Sequence, residues 1–223
     1  MKPFWRCPWT WGVLLLALGL RACGLGWGLP WHAANDEYRM FRNVYYVATH
    51  AGRPLNQVNP PLQAYVWGAA MVPVGALGRC LGLLDDSGSL ARTLGNAYVV
   101  HPDLYYGVGR GLSLIFGLGA VILLGRMAER RYGSAARIPA MLILAVNPFH
   151  VIASQGPNST AMGLLTFLFA LNACLDFPAS PRPLRAIAWA GFLCGLAGAT
   201  KQNGGFAIVV RVVKGGLRLP EKK

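Results

Sequence analysis

The sequence predicts an all-α polytopic bundle of about five to six transmembrane helices, with an interfacial helix in a long first extracytoplasmic loop. Three observations carry that expectation. Of the 223 residues, 54% are hydrophobic and only 13% charged, against about 25% charged in an ordinary soluble domain. The apolar residues form four runs at 9–29, 108–125, 138–154 and 161–177, each long enough or nearly so for a hydrocarbon core of about 30 Å, and a fifth, 186–200 running on to 210, is broken by Lys201-Gln202-Asn203-Gly204-Gly205. The basic residues fall in short clusters between those runs, where topology places Lys and Arg.

Each element follows in order. Lys2 and Arg6 precede the first run and place the N-terminus inside, so this run reads as a retained signal-anchor helix in a multi-pass protein of the inner or plasma membrane. Residues 31–107 form the first extracytoplasmic loop. Its five arginines (Arg39, Arg42, Arg53, Arg79, Arg92) are matched by five acids (Asp36, Glu37, Asp85, Asp86, Asp103). Within it, 61–84 is apolar enough to span. A span there would put Arg126–Arg137 outside, so it reads as an interfacial or re-entrant helix, with Tyr65 and Trp67 at headgroup level. The second span leads inward to Arg126, Arg130, Arg131 and Arg137, and the third outward to the uncharged stretch 154–160. The fourth returns to Arg182 and Arg185, and the fifth leads out to Lys201. A short segment at 202–213 then returns the basic tail to the inside. Residues 1–223 thus read as one transmembrane domain.

The net charge of +13 does not mark a nucleic-acid binder, because no basic stripe with interleaved aromatics is present. The five cysteines match no zinc or redox spacing, and the four histidines show no ligand spacing, so no metal centre is expected from them. Asn158-Ser159-Thr160 fits the glycosylation acceptor pattern but lies too close to the membrane to serve.

Eight acids in the chain make each one informative. Glu129, Asp176 and Glu221 lie among basic residues on the inner side and read as solvated loop charges. Asp85 and Asp86 read as a turn. Asp36 and Glu37 stand apart, because they follow the first span closely, at the edge of the lipid. Two adjacent carboxylates there repel each other and are poorly solvated, which favours accepting a proton or holding a cation. The same pair also fits a helix start, with Asp36 as cap and Glu37 in the first turn. Arg110 opens the second span and Lys201 ends the fifth. Both suit an anionic headgroup or phosphate at the outer interface, or simple snorkelling.

These residues, in this order, resemble the N-terminal part of a GT-C-type membrane glycosyltransferase, the superfamily of the protein O-mannosyltransferases and the lipid A aminoarabinose transferase. The resemblance rests on Leu20-Arg21 and Gly28-Leu29-Pro30, then His32 through Asp36-Glu37, then Asn59-Pro60-Pro61-Leu62-Gln63-Ala64-Tyr65. Gly109-Arg110-Gly111-Leu112-Ser113, Asn147-Pro148-Phe149-His150-Val151 and Gly195 through Lys201 continue it. It covers most of 10–210. It implies transfer of a sugar from a polyprenyl-phosphate donor to an acceptor hydroxyl on the extracytoplasmic face. By carry-over Asp36 is the base, Glu37 its partner or a metal holder, and Lys201 and Arg110 bind the donor phosphate. A divalent metal is the one cofactor the resemblance leaves open. The implied partners are that lipid-linked sugar and membrane lipid.

The chain departs from the family in two places. The loop Gly156-Pro157-Asn158-Ser159-Thr160 has no acid where many members carry one, and three residues separate His32 from Asp36. The chain is also short for the family, which reads as an incomplete GT-C-like module. Two other readings stand beside the enzyme: a noncatalytic scaffold or truncated remnant of the same fold, and a small transporter.

Overall fold

The computed structural model describes residues 4–30, 35–55, 60–84, 88–176 and 182–206. Among them all regular structure is helical. In chain order the helices are α1 (Pro8–Ala22), α2 (Asn35–Thr49), α3 (Leu62–Cys80), α4 (Leu90–Val100) and α5 (Pro102–Tyr132), then α6 (Arg137–Val146), α7 (Pro148–Gln155), α8 (Ser159–Asp176) and α9 (Pro183–Thr200). His32, Asp85, Asp86 and the returning tail beyond 206 lie outside the described residues, and so does the side chain of Asp36.

Local chemistry explains the boundaries. Pro8, Pro102, Pro148 and Pro183 each stand in the first turn of a helix, where the missing N–H costs nothing and φ is already helical. α5 has Asp103 in its first turn and Arg130 and Arg131 in its last, the order the helix dipole favours. It stops at Gly133, whose φ of 89° suits glycine.

The apolar runs divide differently from the expectation. Among the described residues, Pro102–Tyr132 and Ser159–Asp176 are long and apolar enough to cross a membrane. The segment Ser134–Val146 with Pro148–Gln155 makes a third if its 60° bend lies within one span. The expected count was five to six. The run 138–154 is broken because Pro148 cannot donate to the helix ladder and excludes helical backbone before it. Asn147 is extended there and accepts the His150 N–H on its side chain at 3.0 Å. The run 9–29 is helical only to Ala22, and successive turns carry the chain through Gly24, Gly26 and Gly28. α3, which covers most of the ambiguous 61–84 stretch, is not among the helices that reach span length and hydropathy.

α5 is the central post. On one side Val121 meets Val13 and Ala17 of α1 and Met141 and Ala145 of α6. On another, Ala120 and Met127 meet Leu168 of α8. α8 in turn packs on α9 through Ala170, Cys174, Ala190, Cys194 and Ala197. Small residues let these backbones approach closely, which is how helices associate where lipid supplies no hydrophobic drive. At Gly117 an added Cβ would lie 2.3 Å from Ser154 Oγ.

Among the described residues, 31–107 holds α2, α3, α4 and the first turns of α5. Phe41 and Val44 of α2, with Ala64, Trp67 and Met71 of α3, form a second core against Tyr105 at the start of α5. Phe41 stacks on Tyr98 of α4 at 3.5 Å between ring centroids.

The opposite end of α5 is basic. Arg137 pairs with Glu129 at 3.0 Å, and Arg131 with Asp176 at 2.8 Å. Arg126 lies over the rings of Phe4 and Trp5, a cation–π contact that ties the N-terminal turn to α5.

Candidate functional site at the N-terminal end of α5

Glu37 sits in the first turn of α2, where the helix dipole favours a carboxylate. Its side chain is buried against α5. Arg110, two turns into α5, meets it with two parallel hydrogen bonds. Nε donates to Oε1 at 3.0 Å and Nη2 donates to Oε2 at 3.1 Å. The side chains are 2% and 5% exposed for Arg110 and Glu37. Nη1 of the same guanidinium donates to the carbonyls of Leu25, at 2.6 Å, and Trp27, at 2.8 Å. Arg110 therefore ties three segments together: the turns after α1, the start of α2 and the body of α5.

This geometry differs from the expectation for both residues. Arg110 was expected as a cation open to phosphate, but at least four of its five N–H groups face protein oxygens. Glu37 was expected as a partner of Asp36 or a metal holder, but both of its oxygens accept from a guanidinium that neutralises it. Among the described residues no group of three or more His, Cys, Asp or Glu side chains is close enough to hold a metal. Glu37 thus does not fit a metal ligand set.

The loop after α7 closes over this pair. A Cβ on Gly156 would lie 3.8 Å from Glu37 Oε1. Pro157 is fully buried, and a Cβ on Gly109 would strike it at 2.6 Å and the Trp67 ring at 2.8 Å. The same loop leads to Lys201. Asn158 Oδ1 accepts the Thr160 N–H at 2.9 Å, and Lys201 Nζ donates to Thr160 Oγ1 at 3.0 Å. The aliphatic stem of Lys201 lies against Gly163. Lys201 makes no ion pair among the described residues. Glu37, Arg110 and Lys201 are thus gathered at one end of the bundle. Asp36, one residue before Glu37, has its backbone at the same place, and its side chain lies outside the described residues.

A second polar centre was not singled out as a site from the sequence. Arg21, fully buried on α1, donates to the carbonyls of Ala17 (2.9 Å), Ala145 (3.1 Å) and Leu144 (3.3 Å) and to His150 Nδ1 (2.7 Å). Arginine cannot accept, so Nδ1 is the acceptor and the imidazole is neutral with its proton on Nε2. Residues 144 and 145 end α6 just before Pro148, so the guanidinium satisfies carbonyls that the break sets free. A lone Arg within an apolar run was the available signal.

No protein-family model, no curated protein and no solved structure matches this chain.

Proposed function

We propose that this chain is a membrane glycosyltransferase that moves a sugar from a polyprenyl-phosphate donor to an acceptor hydroxyl on the extracytoplasmic face. One observation carries the reading. The buried Glu37–Arg110 pair anchors the start of α2, and with it Asp36, at the end of the bundle that also presents Lys201.

The chemistry needs a base, a held leaving group and little water. Asp36 takes the proton of the acceptor hydroxyl as that oxygen attacks the anomeric carbon. The bond from that carbon to the phosphate oxygen breaks, and the lipid phosphate leaves with the electron pair. Lys201, held by a neutral hydroxyl and not by an acid, supplies positive charge to that phosphate. Arg110 serves as a positioning residue, because its guanidinium is engaged by protein oxygens. In this reading the chain crosses the membrane several times with its N-terminus inside, and the α2–α4 helices lie on the outer face.

The test is sugar transfer in proteoliposomes from a polyprenyl-phosphate sugar to a hydroxyl acceptor. Wild type, Asp36→Asn and Lys201→Gln are compared. Loss of a positioned base costs about 10²–10⁴-fold, so equal turnover in wild type and Asp36→Asn removes Asp36 as the base. The noncatalytic scaffold is the second reading. The mutual neutralisation of Glu37 and Arg110 favours it, and it expects no transfer from any of the three proteins.

A further inference from the structure

α2, α3, α4 and the first turn of α5 surround a cavity of about 330 Å³. Its walls are Phe41, Val44, Gly68, Met71, Ala91 and Leu94. The space exists because small residues stand where the helices face each other: a Cβ on Gly68 would only touch Val44, at 3.6 Å. Two of the tyrosine hydroxyls near the wall are spent within the protein. The Tyr105 hydroxyl donates to the Leu94 carbonyl, and the Tyr65 hydroxyl donates to the Gly52 carbonyl at 2.9 Å. An apolar cavity of about 150 Å³ already stays dry and takes up apolar guests, and this one is about twice that size.

The mouth shows where a guest comes from. Val72 lines the cavity and is 50% exposed. The same helix continues to the exposed Leu77, and the turn after it to the exposed Leu81 and Leu83. Tyr45 and Tyr65, both partly exposed at the rim, are the residue type that sits at the headgroup layer. Tyr105 closes the cavity from the first turn of a helix long enough to cross the bilayer. The opening thus lies near exposed apolar residues and at the end of a helix long enough to cross the bilayer, so that in a membrane it lies beside lipid. There the abundant apolar guest is a lipid hydrocarbon chain.

We propose that this cavity seats one acyl chain of a membrane phospholipid, which fills the space between α2, α3 and α4. The seat is separate from the Glu37–Arg110–Lys201 end and does not depend on the transferase reading. The full chain is reconstituted in vesicles containing phosphatidylcholine with a diazirine on one acyl chain, illuminated, and mapped by mass spectrometry. A parallel arm uses a diazirine-bearing isoprenoid phosphate at the same dilution. The expected result is acyl-probe adducts on residues 41–48 and 64–72 in wild type. Gly68→Leu and Ala91→Leu, on two different helices, each fill the space and lower those adducts roughly tenfold, while adducts on α8 persist. Wild-type adducts confined to α5 and α8 would overturn the proposal. So would unchanged labelling of the wall in both variants, or wall labelling by the isoprenoid probe alone.

Discussion

Glu37 and Arg110, 73 positions apart in the chain, share two hydrogen bonds with almost no solvent on either side chain. Removing one partner leaves the other charge buried and uncompensated, a loss of about 3–5 kcal/mol. Glu37→Gln and Arg110→Gln should each lower the thermal stability of the detergent-solubilised protein sharply. The double variant should lose clearly less than the sum of the two. Additive losses in such a cycle would mean that the two side chains act independently.

Arg21 makes a second, different demand on a guanidinium. Its planar fork reaches the ends of α6 and α7 at once, which a single ammonium cannot do. Arg21→Lys should therefore behave much like Arg21→Met, each costing about 3 kcal/mol. Hydrogen exchange should speed up first around residues 142–152. Full rescue by lysine would reduce Arg21 to a bare positive charge.

Two glycines on one face-crossing helix predict opposite outcomes. Gly109→Ala forces a Cβ into Pro157 and Trp67, an overpacking cost of about 1–3 kcal/mol. It should also displace the loop that links Glu37 to Lys201. At Gly111 nothing lies within 4 Å of an added Cβ. Gly111→Ala should be neutral, or stabilising by up to about 1 kcal/mol through helix propensity. Melting curves of the two variants decide the matter, and a stable Gly109→Ala protein contradicts the close approach.

Orientation is open to direct measurement. In a chain with its native cysteines replaced, Gly26→Cys and Asn158→Cys should react with a membrane-impermeant maleimide from outside intact cells. Ser134→Cys, beside the basic end of α5, should react only after permeabilisation. The reverse pattern would turn the bundle over and remove the extracytoplasmic site.

Legibility from sequence varied with the physics involved. The all-helical class and the long apolar helices could be read because hydropathy and breaker residues act locally. The break at Pro148 was equally visible as chemistry, and 138–154 stays a single span only if its 60° bend lies within it, because composition alone does not weigh a proline against the apolar residues around it. At 9–29 the helix stops at Ala22, and the apolar run reads longer for a related reason: hydropathy counts glycine-rich turns as readily as helix. Arg110 was expected to face phosphate, since nothing in the spacing says that Glu37 returns to it.

Local sequence alone makes the chain helical, sets where prolines and glycines divide it, and leaves a few charges that must find partners. Which partners they find is set by packing. Packing joins Glu37 to Arg110, sets Arg21 on the freed carbonyls of α6, and brings Lys201 beside the loop that covers the first pair. The difference comes from distance along the chain. Helix formation depends on neighbours within a few residues, whereas a buried charge is satisfied by whichever polar group the packed helices deliver to it.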